Sequence, residues 1–246
     1  MSKMKHKNIR GKLAYTSKKP EMLDQSRGHE LFHITKHTDG QMTLRAHCEI
    51  EEPEPTVMRD VVLTLNDKNH PMDCFIRLTV GDEFMGSGLF IFNLDEDQNG
   101  TIECESYGPS INRLSQKKET LGSFDAFGTH PIVGDGWNCR SIDISKGPGI
   151  SKMRAFMPSL DHRGATPPMI SELTIDVEYH GLEEIAVQAG TFSCHHFSYI
   201  DDVGFNEGVK HPPYDIWVTE EDYVCVKAEV TGYMMTYYEL VSIEFD

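Results

Sequence analysis

Short segments with the alternation of a β-strand, joined by tight turns, dominate this chain and restrict its fold more than any other feature. The segments ELFHITKH and MTLRAHCEI flank TDGQ, in which Asp-Gly indicates a β-hairpin. Segments of the same kind continue to residue 106 and resume after residue 168. Counting by alternation gives about a dozen strands. Such a series is typical of an antiparallel meander, and closure into a barrel would remove its exposed edges.

Residues 108–168 interrupt this pattern, because FGTHPIVGDGW and the segment from 146 to 168 are rich in Gly and Pro. A connection of this length in a compact domain is either functional or disordered, and its apolar and aromatic content argues against disorder. We therefore predict an all-β protein, a single curved antiparallel barrel of about a dozen strands over residues 21–246. Its general shape is lipocalin-like, with one long Gly/Pro-rich insertion. The basic residues 1–20 are predicted to form a loose arm.

Charge and cysteine content restrict the class of protein. The net charge is -16, and a chain this acidic repels phosphate backbones and anionic membrane surfaces. We therefore expect a small-molecule partner and no nucleic-acid or membrane partner, with a homo-oligomer left open. The six cysteines are widely spaced, which predicts reduced, mostly buried thiols. Together with the lack of an apolar signal segment or a membrane-length apolar stretch, this predicts a cytoplasmic protein.

The segment AGTFSCHHFSYI predicts a turn followed by a strand that carries two adjacent histidines. Adjacent residues on a strand point to opposite faces, so His195 and His196 cannot both face the interior. The face that holds Ser193, His195 and Tyr199 is the more polar of the two and suits a cavity with a few convergent polar groups. We predict that His195 and Tyr199 point inward and that His196 lies on the other face.

Further candidate residues come from FGTHPIVGDGWNCR, from HPPYDIWV and from the strand VMRDVVLTL. In that strand Arg59 shares a face with apolar residues, and such an arginine must be paired or line a polar cavity. Histidine titrates near neutrality, while tyrosine and arginine can stabilise developing negative charge. The predicted site therefore has the catalytic residues His130, His195 and Tyr199 and the substrate-binding residues Arg59, Trp137, Tyr214 and Trp217.

Motifs for metals and nucleotide cofactors are missing. The chain has no H-x-H, no HExxH and no paired Cys/His spacing, so we predict no metal ligand and activity without a tightly bound transition metal. DEDQNGTIE matches only the first half of a calcium loop, because Ser106 stands twelfth from Asp95 where an acidic residue is required. A nucleophile elbow, a phosphate loop and a dinucleotide fingerprint are absent too, so we expect no cofactor.

Several of these segments resemble known bacterial proteins. AGTFSCHHFSY and YDIWVTEEDYVCVKAEV are similar to the closing strands of a broad group of bacterial β-barrel domains of unknown function, in which an A-G-T-F turn precedes an I-W strand. RDVVLTL, GSGLFIF and FGTHPIVGDGW are similar to segments of an uncharacterised bacterial family. The resemblance implies a single curved antiparallel barrel with a small-molecule cavity. It implies no settled activity, so no catalytic roles carry over.

Two functions from different classes remain open. The first is a cofactor-independent enzyme that acts on a small aromatic or carbonyl-bearing compound in the barrel cavity. Its chemistry would be general acid–base catalysis of the lyase or isomerase type, with a histidine as the base. The second is a non-catalytic carrier of an apolar small ligand. Polar inward residues (Arg59, His195 and Tyr199) favour the enzyme, and a wholly apolar cavity would favour the carrier.

Overall fold

The computed structural model describes residues 6–159, 163–201 and 210–246, and most of these residues lie in β-strands. The strands within these ranges are β1 (Lys7–Ser17), β2 (Ser26–Lys36), β3 (Met42–Ile50), β4 (Val57–Leu65), β5 (Pro71–Val80), β6 (Glu83–Leu94), β7 (Gly100–Gly108), β8 (Asn112–Thr120), β9 (Ala126–Phe127), β10 (Gly149–Met157), β11 (Ser171–Val187), β12 (Gly190–Ile200), β13 (Tyr214–Thr219), β14 (Cys225–Val230) and β15 (Thr236–Phe245). The helices are α1 (Ile132–Asn138) and the short 3-10 helices Pro20–Met22, Cys139–Ser141 and Ile144–Lys146.

All these strands belong to one sheet in the order β8-β7-β6-β5-β4-β3-β2-β1-β15-β14-β13-β12-β11-β10-β9. Every neighbouring pair is antiparallel except β9 and β10, which are parallel. The predicted all-β, curved antiparallel fold is confirmed. The sheet has 15 strands within the described ranges instead of about a dozen, and there no backbone ladder joins its end strands β8 and β9.

The predicted loose arm over residues 1–20 is wrong for residues 7–17, because these residues form β1 in the middle of the sheet. β1 pairs with β2 along one edge and with β15 along the other. Ile9, Leu13 and Tyr15 are buried, while Lys7 is exposed. The basic residues of this segment hide the alternation of a half-buried strand, which explains the wrong prediction.

The predicted insertion at 108–168 is likewise not a single irregular loop. It contains β8, β9, α1 and β10, with short connections between them. α1 packs against β13 and β14. The Gly/Pro-rich sequence therefore provides the strands at both ends of the sheet and the helix that lies on the sheet's inner face.

Curvature brings the two ends of the sheet together. The ring centroids of Phe90 and Phe92 on β6 lie 5.2 and 5.0 Å from that of Phe127 on β9, at the opposite end of the strand order. Lys118 of β8 forms an ion pair of 2.9 Å with Glu172 of β11. Side chains therefore bridge the gap between the sheet ends that the backbone ladder leaves open.

The guanidinium of Arg154 on β10 makes the most extensive of these bridges. It donates to Glu172 Oε1 at 2.7 Å, to Thr120 Oγ1 at 3.4 Å and to three main-chain carbonyls of residues 121–123. It thus links β10 and β11 to the end of β8 and to the turn that follows. Charge-assisted hydrogen bonds are stronger than neutral ones, so this side chain stabilises the junction.

We expect Arg154→Ala to lower the free energy of unfolding by about 1–3 kcal/mol, because it removes charge-assisted bonds at the junction of the sheet ends. Urea denaturation followed by circular dichroism measures the change. Lys152→Ala is the matched control, since Lys152 lies on the same strand and forms an ion pair with Asp176 of the neighbouring strand β11. The control is expected to stay within about 0.5 kcal/mol of wild type. Equal losses in the two variants would contradict the special role of Arg154.

All six cysteine side chains are buried, as predicted. Within the described ranges, no helix is long and apolar enough to cross a membrane.

Candidate functional site

The amino end of α1 is held by a carboxyl group from β2. The residue that precedes the helix, Pro131, provides no side-chain hydrogen bond. Instead, the main-chain N–H groups of Ile132 and Val133 donate to the Glu30 carboxyl at 2.8 and 3.1 Å. The Tyr15 hydroxyl donates to the same group at 2.7 Å. Glu30 has a relative exposure of 0%, so it joins β1, β2 and α1 entirely within the interior.

Close packing of α1 on the sheet requires glycine at position 136. A Cβ atom there would lie 2.8 Å from the Tyr223 carbonyl oxygen and 3.2 Å from Val218 Cγ1. Contacts as close as 2.8 Å are not tolerated by real Cβ atoms, so a larger residue would push the helix away from β13 and β14. The sequence Gly134-Asp135-Gly136 therefore places Asp135 close to the inner face of the sheet.

Asp135 lies among phenol and thiol groups from the strands. The Tyr214 hydroxyl donates to Asp135 Oδ2 at 3.1 Å, and the Tyr199 hydroxyl donates to the Asp135 main-chain carbonyl at 2.7 Å. Cys139 Sγ lies 3.3 Å from the Tyr199 hydroxyl oxygen. As a whole residue Asp135 is partly exposed, whereas its carboxyl group is buried among these side chains. We define the interior polar cluster as Tyr15, Glu30, Asp135, Cys139, Tyr199 and Tyr214.

Burial changes the proton affinity of this cluster. Burial raises the pKa of Glu30 from 4.5 to about 7, against the opposing effect of its hydrogen bonds. Burial and the nearby charge of Glu30 raise the pKa of Asp135 from 3.8 to about 8, although the Tyr214 hydrogen bond opposes this. The phenols of Tyr199 and Tyr214 have pKa values well above the usual 10, because of burial first and of Asp135 among other groups. Glu30 and Asp135 are therefore the cluster members that exchange protons near neutral pH.

His195 lies on the buried face of β12 and His196 on the opposite face, in line with strand parity. The two residues that were expected to act together, His195 and Tyr199, are nevertheless far apart. Four residues of strand separate their Cα atoms by about 13 Å. His195 Nδ1 is hydrogen-bonded to the Tyr179 hydroxyl at 3.0 Å, whereas Tyr199 belongs to the interior polar cluster. Burial lowers the pKa of His195, against the effect of Glu220, so the imidazole is neutral at pH 7.

His130 immediately precedes Pro131 and has a φ of 74°, in the left-handed region. Its Nε2 atom donates to the Ser159 carbonyl oxygen at 3.1 Å. This contact directs the ring toward the segment after β10, while the helix that follows His130 carries Asp135 into the interior polar cluster.

The four predicted substrate-binding residues do not lie together. Arg59, Trp137 and Tyr214 are buried, and the Tyr214 hydroxyl is hydrogen-bonded to Asp135. Trp217 lies on the outer face, where its ring stacks on His196 with centroids 4.2 Å apart. Its assignment to the same cavity as Tyr214 is wrong, because residues three apart on a strand point to opposite faces.

Two interior cavities adjoin these residues. One of about 30 Å³ is lined by Arg59, Phe90 and Met169 among others, and one of about 10 Å³ is lined by Trp137 and its neighbours. These volumes accommodate water molecules, whereas pockets for drug-sized ligands measure roughly 300–1,000 Å³.

Sequence reasoning missed Glu30, although a signal for it exists. Glu30, Phe32 and Ile34 alternate along β2 and share one face, so a carboxyl stands on an apolar face. The same rule singled out Arg59 on β4.

Metal-ligating side chains also converge at two places in the described part of the chain, both outside the interior polar cluster. One group is His180, His196 and Asp215, and the other is His29, Glu49 and Glu51.

Comparison with known proteins gives similarity of fold. No protein-family model and no curated protein matches the chain. A solved structure of a β-barrel-like protein of the domain of unknown function DUF1849 from Brucella abortus is similar, with a TM-score of 0.60 and 10% sequence identity. The alignment covers 98% of this chain and 97% of that protein.

Two further structures are more distant. A DUF1089 family protein from Pseudomonas aeruginosa has a TM-score of 0.44 and 11% identity, over 82% of this chain and 88% of that one. A protein of YmcC-like fold from Bacteroides fragilis has a TM-score of 0.33 and 11% identity, over 97% and 95% of the two chains. The DUF1849 structure confirms, at the level of the fold, the resemblance to uncharacterised β-barrel proteins that the sequence motifs indicated.

Proposed function

We propose that this protein is a cofactor-independent enzyme that moves a proton on a small carbonyl-bearing or aromatic compound, in a reaction of the isomerase or lyase type. The observation that carries the proposal is the Asp135 carboxyl. It accepts a hydrogen bond from the Tyr214 hydroxyl on the inner face of the sheet, and burial and the charge of Glu30 raise its pKa to about 8. A general acid or base works best when its pKa lies near the operating pH. Carboxyls with strongly raised pKa values are enriched at functional sites.

Each neighbour of Asp135 has a distinct role in this proposal. The Tyr214 hydroxyl, 3.1 Å from Asp135 Oδ2, is the neutral donor that can hold an oxyanion as it develops. Tyr199 is a positioning residue, because its hydroxyl holds the main-chain carbonyl of Asp135 at 2.7 Å. Glu30 fixes the start of α1 and adds negative charge that favours the protonated form of Asp135. His195 and His130, which were predicted to be catalytic, have no role in this scheme.

The two small cavities bear on the carrier alternative. Their volumes of about 10 and 30 Å³ hold water and not an apolar ligand, so neither of these two cavities is a preformed carrier site. The burial of all six thiols accords with our further proposal that the enzyme works in the reducing cytoplasm.

Proton exchange at carbon tests this function without knowledge of the natural substrate. A panel of small aldehydes, ketones and aromatic acids is incubated with the protein in D₂O, and NMR measures deuterium incorporation next to the carbonyl. We expect exchange of at least one compound with wild type and a loss of about 10²–10⁴-fold in Asp135→Asn, because the amide cannot accept the proton. Glu184→Gln, at an exposed position of β11, is the control and should behave as wild type.

Other outcomes of this experiment contradict the proposal in different ways. Loss of exchange in His195→Gln with retention in Asp135→Asn would identify the histidine as the acid–base group. Saturable binding of a compound without exchange would favour the carrier. A panel that neither binds nor exchanges would argue against an acid–base enzyme for this class of compound.

A further inference from the structure

Three side chains that can bind a metal meet on the outer face of the sheet, on the adjacent strands β11, β12 and β13. The ligand atoms of His180, His196 and Asp215 all lie within 4.8 Å of one another. His196 Nε2 is 3.0 Å from Asp215 Oδ1. His180 Nε2 donates to the Ser198 hydroxyl at 2.7 Å, and that hydroxyl donates to the same Asp215 oxygen. His196 Nε2 therefore faces the Asp215 Oδ1 atom directly, and His180 Nε2 is linked to the same oxygen through the Ser198 hydroxyl.

A β-bulge places His180 in this group. Tyr179 pairs with Phe197 and Gly181 pairs with His196, so His180 is the extra residue of β11 between two consecutive pairs. Gly181 has a φ of 116°, in the region that favours glycine. Bulges re-aim side chains and are over-represented beside functional sites. Here the bulge brings the His180 and His196 rings to a centroid distance of 4.4 Å.

His196 also donates its second ring N–H to a carboxylate, as metal-bound histidines usually do. Its Nδ1 atom donates to Glu183 Oε1 at 2.9 Å, and the other oxygen of Glu183 accepts the Trp217 indole N–H at 3.0 Å. A histidine that binds a metal typically donates its second ring N–H to a carboxylate, which fixes the tautomer and the ring orientation. Glu183 therefore keeps the proton on Nδ1 and leaves Nε2 as the metal-binding nitrogen.

We propose that His180, His196 and Asp215 bind one divalent first-row transition-metal cation, best Zn²⁺, through His180 Nε2, His196 Nε2 and Asp215 Oδ1. Two imidazoles and one carboxylate suit Zn²⁺, whereas Ca²⁺ and Mg²⁺ prefer oxygen ligands alone. The ion replaces the proton between His196 and Asp215, which is released to solvent. In the metal-bound form His180 carries its proton on Nδ1, 4.0 Å from Glu178 Oε1, so the proton that Nε2 donates to Ser198 is lost from Nε2 to solvent and Nδ1 takes one up.

Binding requires only a local adjustment. The planes of the His180 and His196 rings are inclined to each other by 34°. The exposed His180 ring must therefore rotate until its nitrogen lone pair and that of His196 point at the same ion. The outer position of the site leaves the fourth coordination position to water. The site is separate from the interior polar cluster, because it lies on the opposite face of the sheet. It also differs from the sequence prediction of no metal ligand, since its residues come from three strands and form no local motif.

Isothermal titration calorimetry of untagged, chelator-treated protein with ZnCl₂ tests this site. We expect saturable binding of one ion per chain in wild type. His180→Gln should weaken the affinity at least about tenfold, as expected when a metal site loses a ligand or its orientation. Because His180 is exposed, this variant is expected to fold. The fluorescence of Trp217 gives a second signal, since its ring stacks 4.2 Å from His196 and bound Cu²⁺ would quench its emission.

His47→Gln is the matched control. His47 lies 2.7 Å from Asp60 and 3.2 Å from Glu49, so it is another histidine between two carboxylates on the sheet. We expect this variant to keep the wild-type affinity and the Cu²⁺ quenching, and CaCl₂ to give no saturable heat. Absence of saturable Zn²⁺ binding to wild type would overturn the proposal. An equal loss of affinity in His180→Gln and His47→Gln would overturn it too.

Discussion

Glu30→Ala is expected to lower the free energy of unfolding by about 3–5 kcal/mol, which is a large part of the roughly 5–15 kcal/mol of a typical domain. Three donors converge on this carboxyl: the Tyr15 hydroxyl and the N–H groups of Ile132 and Val133. Alanine leaves all three buried without an acceptor, and each such group costs about 1–3 kcal/mol. Alanine also removes the free-energy cost of burying the Glu30 carboxyl, and this offsets part of the loss of stability. Urea denaturation at pH 7 measures the difference.

Two further variants separate this effect from a general sensitivity to substitution. Glu30→Gln keeps the side-chain volume and one accepting oxygen, so we expect a smaller loss than with alanine. Glu184→Ala removes an exposed carboxylate and is expected to stay within about 0.5 kcal/mol of wild type. If Glu30→Ala is as stable as Glu184→Ala, then the carboxyl does not hold α1 in place.

Much of the fold follows from local sequence patterns. Alternation and turn residues identify the strands of the two meanders, because one face of each is buried and the other is solvated. β1 was not predicted because its basic residues made the segment look like a charged arm, although its buried residues Ile9, Leu13 and Tyr15 share one face of the strand. Closure of the sheet does not follow from local sequence patterns. It depends on contacts between residues distant in sequence, such as Lys118 with Glu172, which local patterns do not encode.

The candidate site was predictable only in part. Parity along β12 separates His195 from His196, and the same rule applied to β13 separates Tyr214 from Trp217. Parity does not reveal which residues on a face are in contact. His195 and Tyr199 were therefore assigned to one catalytic site, although about 13 Å of strand separates them. Asp135 lies in the segment that provided the candidates His130 and Trp137, but its raised pKa results from burial and from Glu30, more than a hundred residues away. Such non-local effects need the three-dimensional structure.

Asp135→Asn is expected to change the pH dependence of stability. Burial, with the charge of Glu30, raises the pKa of Asp135 in the folded state from 3.8 to about 8, so the folded state keeps a proton that the unfolded state loses. The free energy of unfolding of wild type therefore falls as the pH rises through this window. Asparagine resembles the protonated acid and has no proton to lose. One pKa unit corresponds to about 1.36 kcal/mol, so between pH 5 and pH 8 the variant should gain about 2–4 kcal/mol relative to wild type.

Urea denaturation of both proteins at pH 5, 6, 7 and 8 measures this relative gain. The comparison between variant and wild type removes most of the effect of the net charge of -16, because self-repulsion at higher pH acts on both proteins. Asp67→Asn, at an exposed turn position, is the control, and it should not show the gain in stability expected of Asp135→Asn. Burial raises the pKa of Glu30 to about 7, so the Asp135→Asn variant should retain a weaker loss of stability between about pH 4.5 and 7. A constant difference between Asp135→Asn and wild type would mean that Asp135 is ionised in the folded protein at pH 5. The proton-transfer function proposed for it would then lose its main support.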